Sequence, residues 1–143
     1  MSNYALAGNP KTQPEILALL VNDGNWLVRR WVAENPNTST ETLERLANDE
    51  DFGVRANVAQ NPNTPPETLD LLSYDKERCV LYWVAMNPNA SPETLIRLVK
   101  DKDPCVRREA VKNPNTPQYI KQYIKINRTL SKLSSLITNG SYP

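Results

Sequence analysis

The stretch VRRWVAENPNTSTETLERLANDEDFGVR, residues 28–55, decides the fold. It opens on Val28-Arg29, closes on Val54-Arg55, and is broken once by Asn35-Pro36. Read outward, the same Asn-Pro recurs at Asn9, Asn35, Asn61, Asn87 and Asn113, always 26 residues apart and without insertion. With the Asn as position 1, four full units run 9–34, 35–60, 61–86 and 87–112, and a fifth begins at 113. Self-similarity at a fixed period of this length marks a repeat array.

Each unit reads as two helices. In the first half Thr12, Thr38 and Thr64 stand three residues before Glu15, Glu41 and Glu67, the spacing of a capping box. Pro14, Pro65, Pro66 and Pro92 fall in the first turn, where a missing N–H costs nothing. In the fourth unit Ala90 replaces the Thr, and Ser91 is the alternative cap. Leu17/Leu20, Leu43/Leu46, Leu69/Leu72 and Leu95/Leu98 then share one helical face. The second half opens near Asp23, Asp49, Asp75 or Asp101, each a candidate N-cap. Its apolar pairs are four apart: Val28/Val32, Val54/Val58, Val80/Val84 and Val106/Ala110. Small residues follow at Ala33, Ala59 and Ala85, with Val111 in the fourth unit, which lets neighbouring helices approach. The next Asn-Pro stops the helix, because the residue before proline is driven out of the α region. Sustained period-2 alternation is absent, so strands are not expected.

Helices this short, with stripes this narrow, do not fold alone. Stacked in register, they bury one another's faces. The expected fold class is therefore all-α, an α-solenoid of four two-helix repeats plus a C-terminal capping helix. Residues 1–143 form one domain: an N-terminal half-repeat cap at 1–8, the repeats at 9–112, a cap at 113–138 and a frayed tail at 139–143. In the cap, Tyr119, Ile120, Tyr123, Ile124, Leu130, Leu133 and Ile137 suggest a closing helix or helix pair, with Lys121, Lys125, Arg128 and Lys132 on its wet side. A net charge of +1 gives no global pull towards nucleic acid or membrane. No apolar run is long enough to span a bilayer, and the N-terminus lacks the pattern of a signal peptide. With only two cysteines, these features predict a cytoplasmic, reducing setting.

The unit resembles the leucine-rich repeat variant family, most closely over residues 28–55, and the likeness recurs in phase over 9–116. The resemblance implies a right-handed superhelix of alternating helices, one of which can be short and of 3₁₀ type. Some members of that family carry a cysteine-rich iron–sulfur segment near the N-terminus. No cysteine precedes Cys79 here, so no cofactor is expected. The second half is also similar to HEAT-type repeats, in which an Asp is followed six residues later by an Arg. The pairs are Asp23/Arg29, Asp49/Arg55 and Asp101/Arg107, with Leu81 departing from the pattern, and the resemblance implies an inter-repeat ladder.

Catalysis finds no support. Histidine is absent, no phosphate or dinucleotide loop is present, and the carboxylates repeat with the unit. No metal site is expected, and Cys79 and Cys105, 26 apart, should be free thiols on adjacent helices too distant for a disulfide. An enzyme similar to HEAT-like glycosylases is the weakest alternative. The second helices carry Arg29, Arg30, Arg55, Arg78, Arg107 and Arg108, against acidic first helices. Trp31 and Trp83 flank the valine stripe and either pack on a neighbouring unit or face a partner. Arg30 and Tyr82 should point outward. The expected function is a bacterial adaptor that binds a protein partner through Arg30, Trp31, Tyr82, Trp83, Met86 and Arg108. Nucleic-acid binding through the arginine-bearing layer is the alternative. Either a monomer or a dimer is compatible with the sequence.

Overall fold

The computed structural model describes residues 2–139, which hold ten helices and no strand. Helix α1 is Asn3–Gly8. Four seven-residue helices follow from the first halves: α2 (Pro14–Leu20), α4 (Thr40–Leu46), α6 (Pro66–Leu72) and α8 (Pro92–Leu98). Nine-residue helices follow from the second halves: α3 (Trp26–Glu34), α5 (Phe52–Gln60), α7 (Arg78–Met86) and α9 (Pro104–Lys112). Helix α10 (Gln118–Asn139) closes the chain. The short helices are α-helical rather than 3₁₀.

The long helices stack directly, α1 on α3 on α5 on α7 on α9, and each short helix packs against the long helices beside it. The predicted stripes are the core. Leu17, Leu43, Leu69 and Leu95 from the short layer and Val32, Val58, Val84 and Val106 from the long layer are fully buried. Each such side chain contributes about 1.5–3 kcal/mol when removed from water. Ala33, Ala59 and Ala85 are fully buried between long helices, where a larger residue would push them apart.

The caps differ from the sequence expectation by a residue or two. The N-cap positions of the short helices are Gln13, Ser39, Pro65 and Ser91: Ser39 and, as expected, Ser91 accept the Thr42 and Thr94 N–H, while Gln13 and Pro65 make no side-chain cap bond. No capping box forms, because the threonine hydroxyls point backwards. Thr12 donates to the Leu6 carbonyl, Thr38 to Val32, Thr64 to Val58 and Thr116 to Ala110. Each thus satisfies a carbonyl in the last turn of the preceding long helix. The long helices are capped at Asn25, Asp51, Glu77 and Asp103, two residues after the predicted aspartates. Asp23, Asp49, Asp75 and Asp101 instead accept from the backbone N–H of those cap residues and shape the turn into the helix.

Two asparagine ladders run along the stack. The Asn61 side-chain amide donates to the Ala33 carbonyl at 2.8 Å, near the end of α3, and to the Asn35 carbonyl at 3.2 Å, at the start of the preceding unit. Asn35, Asn87 and Asn113 repeat this arrangement. Each Asn oxygen accepts from the backbone N–H two residues on. Asn37, Asn63, Asn89 and Asn115 form an outer ladder onto the proline carbonyls of the preceding turn. The Asn-Pro pair is therefore both a helix stop and a bolt between units. Asn35 reaches α1 through the Ala7 carbonyl as Asn61 reaches α3 through Ala33, so α1 stands in the place of a long helix.

At the other end one helix, not a pair, follows the fifth Asn-Pro. Ile120 and Ile124 pack on the core, whereas residues 125–138 are exposed throughout. Only the first turns of α10 close the solenoid. Of the predicted tail, residues 140–143 lie outside the described residues, and Asn139 ends α10.

Candidate functional site

The stacked long helices present one outer face. Positions 18, 22 and 26 of each unit are four residues apart and line up along the helix. They hold Trp26, Arg30 and Glu34 on α3, then Phe52, Ala56 and Gln60 on α5. Arg78, Tyr82 and Met86 follow on α7, and Pro104, Arg108 and Lys112 on α9. The frame beneath is nearly constant, while this row changes at every unit. Trp26, Phe52 and Met86 are 47%, 53% and 43% exposed, so large apolar side chains lie open to solvent on three consecutive long helices.

Four of the six residues expected to bind a partner belong to this row. Arg30 is exposed, and its stem passes 4.0 Å from where a Cβ on Gly53 would stand. Tyr82 is half-buried rather than outward-pointing, because its ring meets Trp83 edge-on with centroids 5.5 Å apart. Met86 lies a turn further along α7. Arg108 is exposed on α9 and bonds Glu109 at 2.9 Å. Lys112 joins the same carboxylate at 3.3 Å, and Arg108, with Lys112 behind it, holds Glu109 below the usual carboxylate range.

Trp31 and Trp83, at position 23, sit at the flank. Tyr4 of α1 stacks edge-on against Trp31 at 5.7 Å, and Gly8 lies against the same indole. The indole N–H is buried without a partner among the described residues. Trp31 thus packs the N-terminal cap onto the first unit, and the structure separates it from Tyr82, Trp83, Met86 and Arg108. Between the two groups lies α5, with Ala56 and Asn57 at positions 22 and 23, both buried. The outer face is therefore lower at α5 and bordered by bulkier side chains on α3 and α7. The Asn57 amide ties this floor to α3 through the Arg30 carbonyl and the Glu34 carboxylate, each at 3.3 Å. Trp26 and Phe52 were not among the expected site residues. Their spacing of four from positions 22 was the available signal.

Most of the arginine in this layer is committed to structure. Arg29 grips Asp49 of the next unit with Nε–Oδ2 at 2.6 Å and Nη2–Oδ1 at 2.9 Å, and its Nη1 donates to the Asp23 carbonyl at 2.8 Å. Arg55 repeats this with Asp75 and the Asp49 carbonyl. The ladder implied by the HEAT likeness is present. However, each arginine takes the backbone of its own unit's Asp and the carboxylate of the next. Burial would raise the Asp49 and Asp75 carboxyls, but the paired guanidinium and a backbone N–H outweigh it and hold both below the usual range. Leu81, buried, breaks the ladder after two rungs. Arg107 donates to the Asp101 and Lys102 carbonyls, and Arg78 pairs with Asp103 at 3.3 Å. Arg30 and Arg107 have no ion pair among the described residues, and Arg107 is spent on those backbone carbonyls. A phosphate backbone would find little unspent positive charge here.

Cys79 and Cys105 are unbridged and partly exposed. No group of three or more acidic or sulfur ligands that could hold a metal occurs among the described residues. No described helix is long and apolar enough to cross a membrane.

Stacked helix pairs, internal ladders and a variable outer face define an α-helical repeat protein of the solenoid class. Residues 26–51 and 52–77 match the leucine rich repeat variant family, and these two tandem stretches are units of that family. The matched units begin at Trp26 and Phe52, the first residues of α3 and α5. No curated protein and no solved structure matches the chain.

Proposed function

We propose that this chain is a non-enzymatic adaptor that binds a protein partner through the outer face of its long helices. Residues 9–112 act as one scaffold, closed by 1–8 and by the start of 113–138. The single observation that carries this reading is the contrast between frame and face. Positions 1, 20, 24 and 25 recur as Asn and small or branched apolar residues, while positions 18, 22 and 26 change from each unit to the next and expose Trp26, Phe52 and Met86. Exposed aromatics beside an arginine on a preformed surface are the material of protein-binding hot spots. The site centres on Tyr82, Trp83, Met86 and Arg108 and extends across α5 to Arg30, Phe52 and Trp26, with Trp31 at its flank. Free thiols at Cys79 and Cys105 suit the bacterial cytoplasm, where the adaptor is placed.

Affinity capture from a bacterial lysate tests this. Tyr82→Ala with Trp83→Ala should reduce recovery of the partner at least tenfold, and moderate salt should change recovery little. Capture that survives this pair but is lost with Arg30→Glu and Arg108→Glu, and that falls steeply with salt, would favour nucleic acid.

A further inference from the structure

Helix α10 has two apolar faces, and the solenoid uses one. Ile120 and Ile124 pack against the core. Tyr119, Tyr123, Ile126, Leu130, Leu133 and Ile137 do not, and are 51–71% exposed. Their spacing is four, three, four, three, four, an unbroken heptad run in which Tyr123, Leu130 and Ile137 take a positions and Tyr119, Ile126 and Leu133 take d positions. A period of 3.5 suits a second helix wound along the seam.

Charge and width choose the occupant. Lys121, Lys125, Arg128 and Lys132 sit at c and f positions, away from the seam, and the helix has no acidic residue. The flanking e and g positions hold no charge, so two identical, positively charged helices can pair without like charges meeting. Polar Gln122, Asn127, Thr129 and Ser134 border the seam, with Leu136 and the core-packed Ile120 as the apolar exceptions. This stripe is narrow for a bilayer surface, which takes a broad apolar face. Over 22 residues the helix spans about 33 Å, or three heptads. Covering six such side chains on each of two copies removes on the order of 1,000 Å² from water, the lower bound for a specific interface.

We infer that α10 is a self-association helix: two copies of this chain pair through a coiled coil along the Tyr119–Ile137 seam, leaving both solenoid faces free. The pairing makes the adaptor bivalent.

Sedimentation equilibrium of the full chain over a micromolar concentration series tests this. The expected result is a species of twice the 16.2 kDa chain mass. Leu130→Asp with Leu133→Asp should return the chain mass without shifting the melting of the solenoid. Lys125→Glu with Lys132→Glu, on the outer face, should leave the dimer intact. A monomer at every concentration overturns the inference, as does a dimer that survives the aspartates. So does a monomer that co-sediments with phosphatidylserine vesicles and is released by the glutamates, which assigns the seam to a lipid surface.

Discussion

At the scale of single residues, a few polar side chains hold the register. The Asn61 amide spends both hydrogens on the Ala33 and Asn35 carbonyls and its oxygen on the Asn63 N–H. Asn61→Ala strands these groups in a buried turn, and equilibrium urea unfolding should show a loss of about 3 kcal/mol. The Arg29–Asp49 and Arg55–Asp75 rungs make a pH prediction. Both carboxyls titrate lower in the folded chain than in the unfolded chain, so their contribution is complete above the unfolded carboxylate value of about 4. It is lost as pH falls through the lower folded values. Urea midpoints measured from neutral to acid pH should fall through that window, and Asp49→Asn with Asp75→Asn should flatten the fall. The sequence exposed these residues without exposing their partners. Asn-Pro reads as a helix stop because proline's effect is local, whereas the carbonyls that need the Asn amide are 26 and 28 residues away. Likewise Asp49 and Arg55 look like a pair at spacing six, but the carboxylate that Arg55 binds is 20 residues on, at Asp75.

At the scale of elements, leucine and valine spacing was sufficient to place the helices, since burial on one face leaves a mark at intervals of three and four. Cap identity was less legible. Thr38 and Ser39 are both good N-caps by residue type, and the choice falls to Ser39 because the Thr38 hydroxyl is drawn to the Val32 carbonyl of the previous helix. The extent of α10 was visible in its apolar residues, but not that most of them would face water. Ending the chain after Lys125 should leave the thermal midpoint of the solenoid nearly unchanged, because every residue from 125 to 138 is exposed. Ending it after Asn115 removes Ile120 and Ile124 from the core and should lower the midpoint by about 5 °C or more, read by circular dichroism.

At the scale of the molecule, the ladders and the stripes form one frame, and the face rides on it. The frame was legible because it repeats. The face was only half legible, because variability names positions but not what surrounds them: Trp31, expected either to pack on a neighbour or to face a partner, packs against Tyr4, while Trp26 and Phe52, outside the expected set, are open. Everything else depends on the five Asn-Pro turns lying in register. Hydrogen exchange of the side-chain amides, followed by NMR, tests this most directly. The Nδ2 protons of Asn35, Asn61 and Asn87 should exchange far more slowly than those of exposed Asn22, and Asn61→Ala should change protection in the adjoining turns. Exchange of all three at the rate of Asn22 would contradict the ladder and the stack it fastens.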